Sequence, residues 1–248
     1  MSGHSKWSQI KRQKGVTDAK RGKVFTKIGR EIQATARRGG TNPNDNSALR
    51  LALSRAKQAN MPKDTIERAL ARASTAGGGD DWEEIRYEAY GPGGVALLID
   101  ALTDNRNRTA GEVRSTLTKH EGHLGETGSV AWAFEPRGVV AIDVTPNVDA
   151  DTVALEAIDA GAADVSVDET LIEVLTAPAD LEAVRNGLDA AGIAIASAEA
   201  IMRPLNLIVL EEFDARALLR LIDHLEDLDD VQAVHSNAEM PESALVEV

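Results

Sequence analysis

The chain changes character at Ala76-Gly77-Gly78-Gly79-Asp80. Ahead of this glycine run, apolar residues recur at helical spacing and the charge is positive. Beyond it, strand and helix patterns alternate and the charge is negative. The run reads as a flexible linker, so different folding units are expected on its two sides. Residues 1–76 carry 17 Lys and Arg against 5 Asp and Glu, a net of +12. The remainder carries 10 against 35, a net of −25, and together these give the −13 of the whole chain. Charge sorted in this way points to a polyanion as partner of the positive end.

Composition narrows the classes. Aromatics make up 3% of residues, so the cores must be built from Ala, Val, Leu and Ile. There is no cysteine, which excludes disulfides, thiolate nucleophiles and cysteine zinc sites. With 248 residues the chain can form one large domain or two to three small ones. No apolar run reaches the ~18 residues of a membrane span. The basic N-terminus lacks the apolar core of a signal peptide, so the expected location is the cytoplasm, with a mitochondrial transit peptide as the alternative.

Residues 1–16 contain Lys6, Lys11, Arg12 and Lys14, no acid and few apolar groups, and read as a mobile basic tail. His4 and Trp7 lie among these charges. A Trp beside cations can stack on a base while the cations meet phosphates, or it can dock the tail on the body. From about residue 17 the pattern is helical. Phe25, Ile28, Ile32 and Ala36 share one face; Lys20, Lys23, Lys27, Arg30 and Arg37 share the opposite one. Gly39-Gly40 ends this helix, and Gly22 and Gly29 within it each cost ~1 kcal/mol relative to Ala. Residues 47–59 form a second helix with Leu49, Ala52, Leu53 and Ala56 inward. A third follows Pro62, with Ile66, Ala69, Leu70 and Ala73 inward. The expectation is a small helical bundle over 17–76 with Lys and Arg outside, binding nucleic acid.

Strands are expected at 85–90 and 95–102 around the turn Gly91-Pro92-Gly93-Gly94. Thr109 and Glu112 have capping-box spacing, which predicts a helix over 110–119. Residues 129–134 read as the next strand. Residues 138–204 then give the order βαββαβ of a ferredoxin-like split βαβ unit. A short strand at 207–210, a helix over 215–225 and a strand over 231–236 follow, and the last is expected to return to the sheet begun at residue 85. The fold class is thus α+β: an N-terminal three-helix domain, then two α/β domains of ferredoxin-like type, one inserted in the other. The units are 77–137 plus 205–248, with 138–204 as the insertion.

Arg106 and Arg108 sit in Thr103-Asp104-Asn105-Arg106-Asn107-Arg108-Thr109, just before the expected helix start, where free N–H groups favour anions. They are candidates for a second phosphate contact. With Arg21 and the cations above, they complete the candidate nucleic-acid-binding set. His120-Glu121-Gly122-His123 spaces its histidines three apart rather than the four of HExxH, and reads as a helix end and turn. Glu211-Glu212 and Asp229-Asp230 read as solvated surface. No catalytic motif, cofactor loop or metal site is predicted.

Several stretches together carry a resemblance: Gly3-His4-Ser5-Lys6-Trp7, Asp18-Ala19-Lys20-Arg21-Gly22-Lys23, Asn60-Met61-Pro62-Lys63-Asp64, Tyr90-Gly91-Pro92-Gly93-Gly94-Val95, LTDNRNRT over 102–109, Gly128-Ser129-Val130 and Leu225-Glu226-Asp227. In this order they resemble the YebC family over nearly the whole chain. The resemblance implies three domains, one α/β unit inserted in the other, and a DNA-binding transcriptional regulator; members that act in translation at the ribosome imply an RNA-binding alternative. The chain departs from the family's Gly-Gly-Asn-Leu-Gly at Glu121-Gly122-His123-Leu124-Gly125. The expected function is a non-enzymatic, cytoplasmic, nucleic-acid-binding regulator of gene expression without cofactor, with a metal-dependent hydrolase as the remote alternative.

Overall fold

The first three apolar stripes pack on one another. In a computed structural model describing residues 18–74, 82–146 and 148–245, with no side-chain description at 18–20, 242 and 245, helix α1 spans Asp18–Gly39, α2 Ser47–Gln58 and α3 Lys63–Ser74. Ile28, Ile32 and Ala36 of α1 are buried against Leu49, Ala52 and Ala56 of α2 and Ala69 of α3, as the helical period predicts. Met61 fills the space left beside the small residues. Asn46 fixes the angle between α1 and α2. Its Oδ1 accepts from Leu49 N at 3.0 Å, which caps α2, while its Nδ2 donates to the Thr35 and Gly40 carbonyls, each at 2.9 Å. Gly40 turns the chain with φ at 87°. A Cβ on Gly39 would lie 2.6 Å from Asn46 Nδ2, so the close approach needs glycine there.

The body begins with β1, Glu83–Tyr90, and β2, Ala96–Thr103, an antiparallel pair in register from Glu83↔Thr103 to Tyr90↔Ala96. Pro92–Gly94 forms a 3₁₀ turn between them. Helix α4, Arg106–Lys119, and the short β3, His123–Leu124, follow. After a 3₁₀ turn at Ala131–Ala133 come β4, Phe134–Asp143; α5, Ala150–Asp159; β5, Asp164–Val167; β6, Leu171–Thr176; α6, Leu181–Ala190; and β7, Ser197–Pro204. The chain closes with β8, Ile208–Val209; α7, Glu212–Glu226; β9, Val231–Ser236; β10, Ala238–Glu239; and α8, Glu242–Leu245.

Among the described residues, β1 to β7 and β9 form two antiparallel four-stranded sheets, and β8 pairs in parallel with β10. One sheet has the order β5-β6-β4-β7 with α5 and α6 as its crossovers, which is the ferredoxin-like arrangement expected from βαββαβ. The other has the order β3-β1-β2-β9, so the last long strand returns to the sheet begun at β1. One face of β2, through Leu97 and Ile99, packs on Val113 and Leu117 of α4 and Leu218, Leu221 and Leu225 of α7. Its other face, through Ala96 and Leu98, meets Val130, Phe134 and Met202, where the two sheets touch. Among the described residues no helix is long and apolar enough to cross a membrane.

Two local expectations need correction. Helix α4 starts at Arg106, not after Thr109, because Asn105 is its cap and accepts from Arg108 N at 3.1 Å. Thr109 is instead fully buried, donating to Asp230. Residues 129–133 are not strand; the strand starts at Phe134. The cause is Glu88 of β1, whose buried carboxylate takes the N–H groups of Gly128, Val130 and Ala131 at 2.6, 2.7 and 2.8 Å. Burial works against that charge, yet the three bonds hold the carboxyl below its ordinary value.

Candidate nucleic-acid interface

The cationic face of α1 is not turned wholly to solvent. It lies against the turn at 226–230 that ends α7. Lys23 Nζ is 3.3 Å from both the Asp227 carbonyl and its Oδ1. Lys27 donates to the Glu226 carbonyl. Arg30 reaches the Asp229 carbonyl at 2.6 Å and Asp230 Oδ1 at 2.8 Å. The last carbonyls of a helix lack intrahelical partners and carry the negative end of its dipole. Three cations one turn apart on α1 therefore meet the end of α7 where negative potential is greatest.

Asp230 organises this junction. Its side chain is 2% exposed. Oδ1 holds Arg30, while Oδ2 accepts from Thr103 at 3.1 Å, Thr109 at 2.7 Å and Arg108 at 2.7 Å. Burial alone would raise this acid; the hydrogen bonds from Arg108, Thr109 and Thr103 bring it below the ordinary carboxylate value. The expectation that Asp229-Asp230 is solvated surface thus fails at Asp230, because the 226–230 turn is clamped between α1 and α4. Arg108 also bonds Asp104 Oδ1 at 2.6 Å, which offsets the cost of a cation in a first helical turn. Arg106 remains outward, 70% exposed, with Glu83 Oε2 at 3.6 Å.

A groove of about 810 Å³ runs beside this junction. Thr26, Arg30, Gln33, Arg68 and Arg72 line its bundle side, and Asp104, Glu112, Asp227 and Asp229 its body side. Arg30 lies over the Trp82 ring at 4.9 Å from the centroid, a cation–π contact at the same place. Elsewhere the bundle is tied to both sheets. Arg38 meets Glu84 at 2.9 Å, Arg50 is bidentate on Glu182 of α6, and Arg185 donates to Ser54 at 3.1 Å.

The residues proposed from sequence thus part ways. Lys23, Lys27 and Arg30 converge on 226–230, and Arg108 reaches the same carboxylate from α4. Arg21 is exposed and Arg37 half-buried on α1. His4, Lys6, Trp7, Lys11, Arg12 and Lys14 lie outside the described residues, as does the Lys20 side chain, so the tail and its Trp7 contact have no structural account. The 76–80 linker is outside them too. Sequence reasoning missed Trp82, Arg68 and Arg72, which carry no motif of their own. It also misread the acidic turn, which it met as Leu225-Glu226-Asp227 at a helix end and as an Asp229-Asp230 pair taken for solvated surface.

His120 and His123 go separate ways. The His120 ring packs on His224 with centroids 4.3 Å apart, and His123 stacks on Tyr90 at 5.3 Å. Burial and the neighbouring charges of His224, Arg220 and Lys119 push His120 below its ordinary value. Among the described residues no group of three or more His, Asp or Glu is placed to hold a metal ion.

Residues 5–76 match the TACO1/YebC protein N-terminal domain, and residues 82–238 match the TACO1/YebC second and third domain. The chain belongs to the TACO1/YebC family. A relative in Moorella thermoacetica, named "Probable transcriptional regulatory protein", is 49% identical over 243 residues, covering 97% of this chain and 96% of the relative. One of the same description in Methylococcus capsulatus is 52% identical over 249 residues and spans 100% of both chains. The crystal structure of a conserved hypothetical protein from Aquifex aeolicus superposes with a TM-score of 0.82 at 41% identity, covering 90% of this chain and 92% of that one. In this TACO1/YebC chain, therefore, the groove and its acidic turn lie where the N-terminal match, 5–76, meets the match to the second and third domain, 82–238.

Proposed function

We propose that this chain is a non-catalytic, cytoplasmic, nucleic-acid-binding regulator of gene expression that takes the phosphate backbone with its basic N-terminal domain. The charge division carries the reading: +12 before residue 77 and −25 after it. Phosphates are attracted to the first part and repelled by the second, which orients the partner without any base contact. The names of the relatives favour DNA and transcription. A second reading, a translation factor on RNA, is favoured by α1 itself. Its cationic face packs on the protein's own body, so α1 does not offer a free recognition helix to a major groove. A basic domain beside an acidic body suits folded RNA, where shape and phosphates dominate.

Crosslinking in cells followed by sequencing of the bound nucleic acid tests both. Enrichment of promoter DNA supports the transcriptional reading, and enrichment of ribosomal or messenger RNA the translational one. Recovery of neither above background overturns the proposal.

A further inference from the structure

We infer that the 226–230 turn is an internal competitor for the cationic face of α1: phosphate binding at Lys23, Lys27 and Arg30 and docking of that face on the body exclude one another. This rests on the nucleic-acid reading above and names how that site is regulated. The turn offers what a phosphate backbone offers. Carbonyl oxygens of Glu226, Asp227 and Asp229 and carboxylates of Asp227 and Asp230 meet three cations spaced along one helix. A strand of phosphates on the same cations would place its charge against Asp227, Asp229 and Asp230, which repel it. Both cannot occupy the face.

The contact is graded. Lys23 and Asp227 are 44% and 51% exposed, so that pair is weak and screened by salt. Arg30 and Asp230 are 18% and 2% exposed, and hold more firmly. Displacement therefore starts at the N-terminal end of α1, next to the basic residues 1–17. Opening also leaves the bundle intact, because Ile28, Ile32 and Ala36 pack on α2 and α3 and not on the turn. The existing groove marks where the two walls would part.

The chain has no cysteine, so Thr26→Cys with Asp229→Cys sets the only two thiols across the groove. The full chain is joined with a reductant-cleavable bismaleimide, and its affinity for labelled duplex DNA and for a labelled structured RNA is read by anisotropy before and after cleavage. Circular dichroism confirms that both forms are folded. The expected result is binding about 10-fold weaker when linked, with the slope of log K against log salt shallower by about 2. Asp227→Asn, unlinked, should bind about 2–3-fold tighter than the unsubstituted chain. Equal affinity of linked and cleaved forms, with the unsubstituted chain binding, overturns the inference and leaves the nucleic-acid reading standing. No binding by the unsubstituted chain to either probe at low salt overturns both.

Discussion

Arg30 of α1 and Asp230 meet at 2.8 Å across 200 residues of sequence, and the same carboxylate holds Arg108 of α4 at 2.7 Å. One buried acid thus joins the helical end of the chain to the first sheet. Replacing it strands cations and hydroxyls made for it.

Asp230→Ala should destabilise the protein by about 2–4 kcal/mol, below the upper end for a fully buried pair because Arg108 is 41% exposed. Asp230→Asn, which keeps an acceptor, should lose less. Equilibrium urea unfolding reads both, and a loss under ~0.5 kcal/mol for the Ala variant would contradict the role given to Asp230.

Arg106 and Arg108 should behave differently although they are two residues apart. Arg106→Ala should change stability by less than ~0.5 kcal/mol, since its ion-pair partner Glu83 is exposed. Arg108→Ala should cost about 1–2 kcal/mol through its lost bond to the buried Asp230 carboxylate, which keeps Arg30, Thr103 and Thr109. Thermal melts of the two single variants decide it, and equal shifts would refute the distinction.

Asp100 predicts an acid response. Burial opposes its charge, yet hydrogen bonds from His235 and Arg86 bring it down to about 2, from an ordinary 3.8. An acid lowered on folding contributes stability that is complete above its unfolded value and fades as pH falls through its folded one. The contribution is about 1–2 kcal/mol after allowance for partial exposure, and is lost progressively between roughly pH 5 and pH 1. Asp100→Asn should be less stable than the unsubstituted chain at pH 7, and the gap should narrow as pH falls through about 2. Urea midpoints across that range check it; a gap independent of pH would exclude the linkage.

Lys11, Arg12 and Lys14 are proposed phosphate ligands on sequence grounds. Replacing all three with Ala should reduce the magnitude of the salt slope by about 2–3. An unchanged slope would remove them from the interface.

What the sequence disclosed follows from range. The stripes of α1, α2 and α3, the strands Leu171–Thr176 and Val231–Ser236, and the βαββαβ order are patterns within a few residues, set by period. The misread places have partners far away. The 129–133 stretch looks like a strand until the Glu88 carboxylate, more than 40 positions earlier, takes its N–H groups. Thr109 and Glu112 offered a plausible cap, but Asn105 already filled that role and Thr109 belonged to Asp230. Charge read along α1 named Lys20, Lys23, Lys27, Arg30 and Arg37 as a set; only the fold shows Lys23, Lys27 and Arg30 facing an acidic turn some 200 residues on.

The pairing of β2 with β9 also bears on how the chain is made. Leu97 pairs with Ser236, and Ala101 with Val231. During synthesis β2 emerges long before its partner and stands as an open edge, able to recruit a strand from another nascent chain. The sheet of β4 to β7 has all its partners within 134–204 and can form meanwhile. A nascent chain halted before residue 231 would therefore hold a finished second sheet beside an unfinished first one. That interval is when a holdase that covers sheet edges would do most for the yield of this protein.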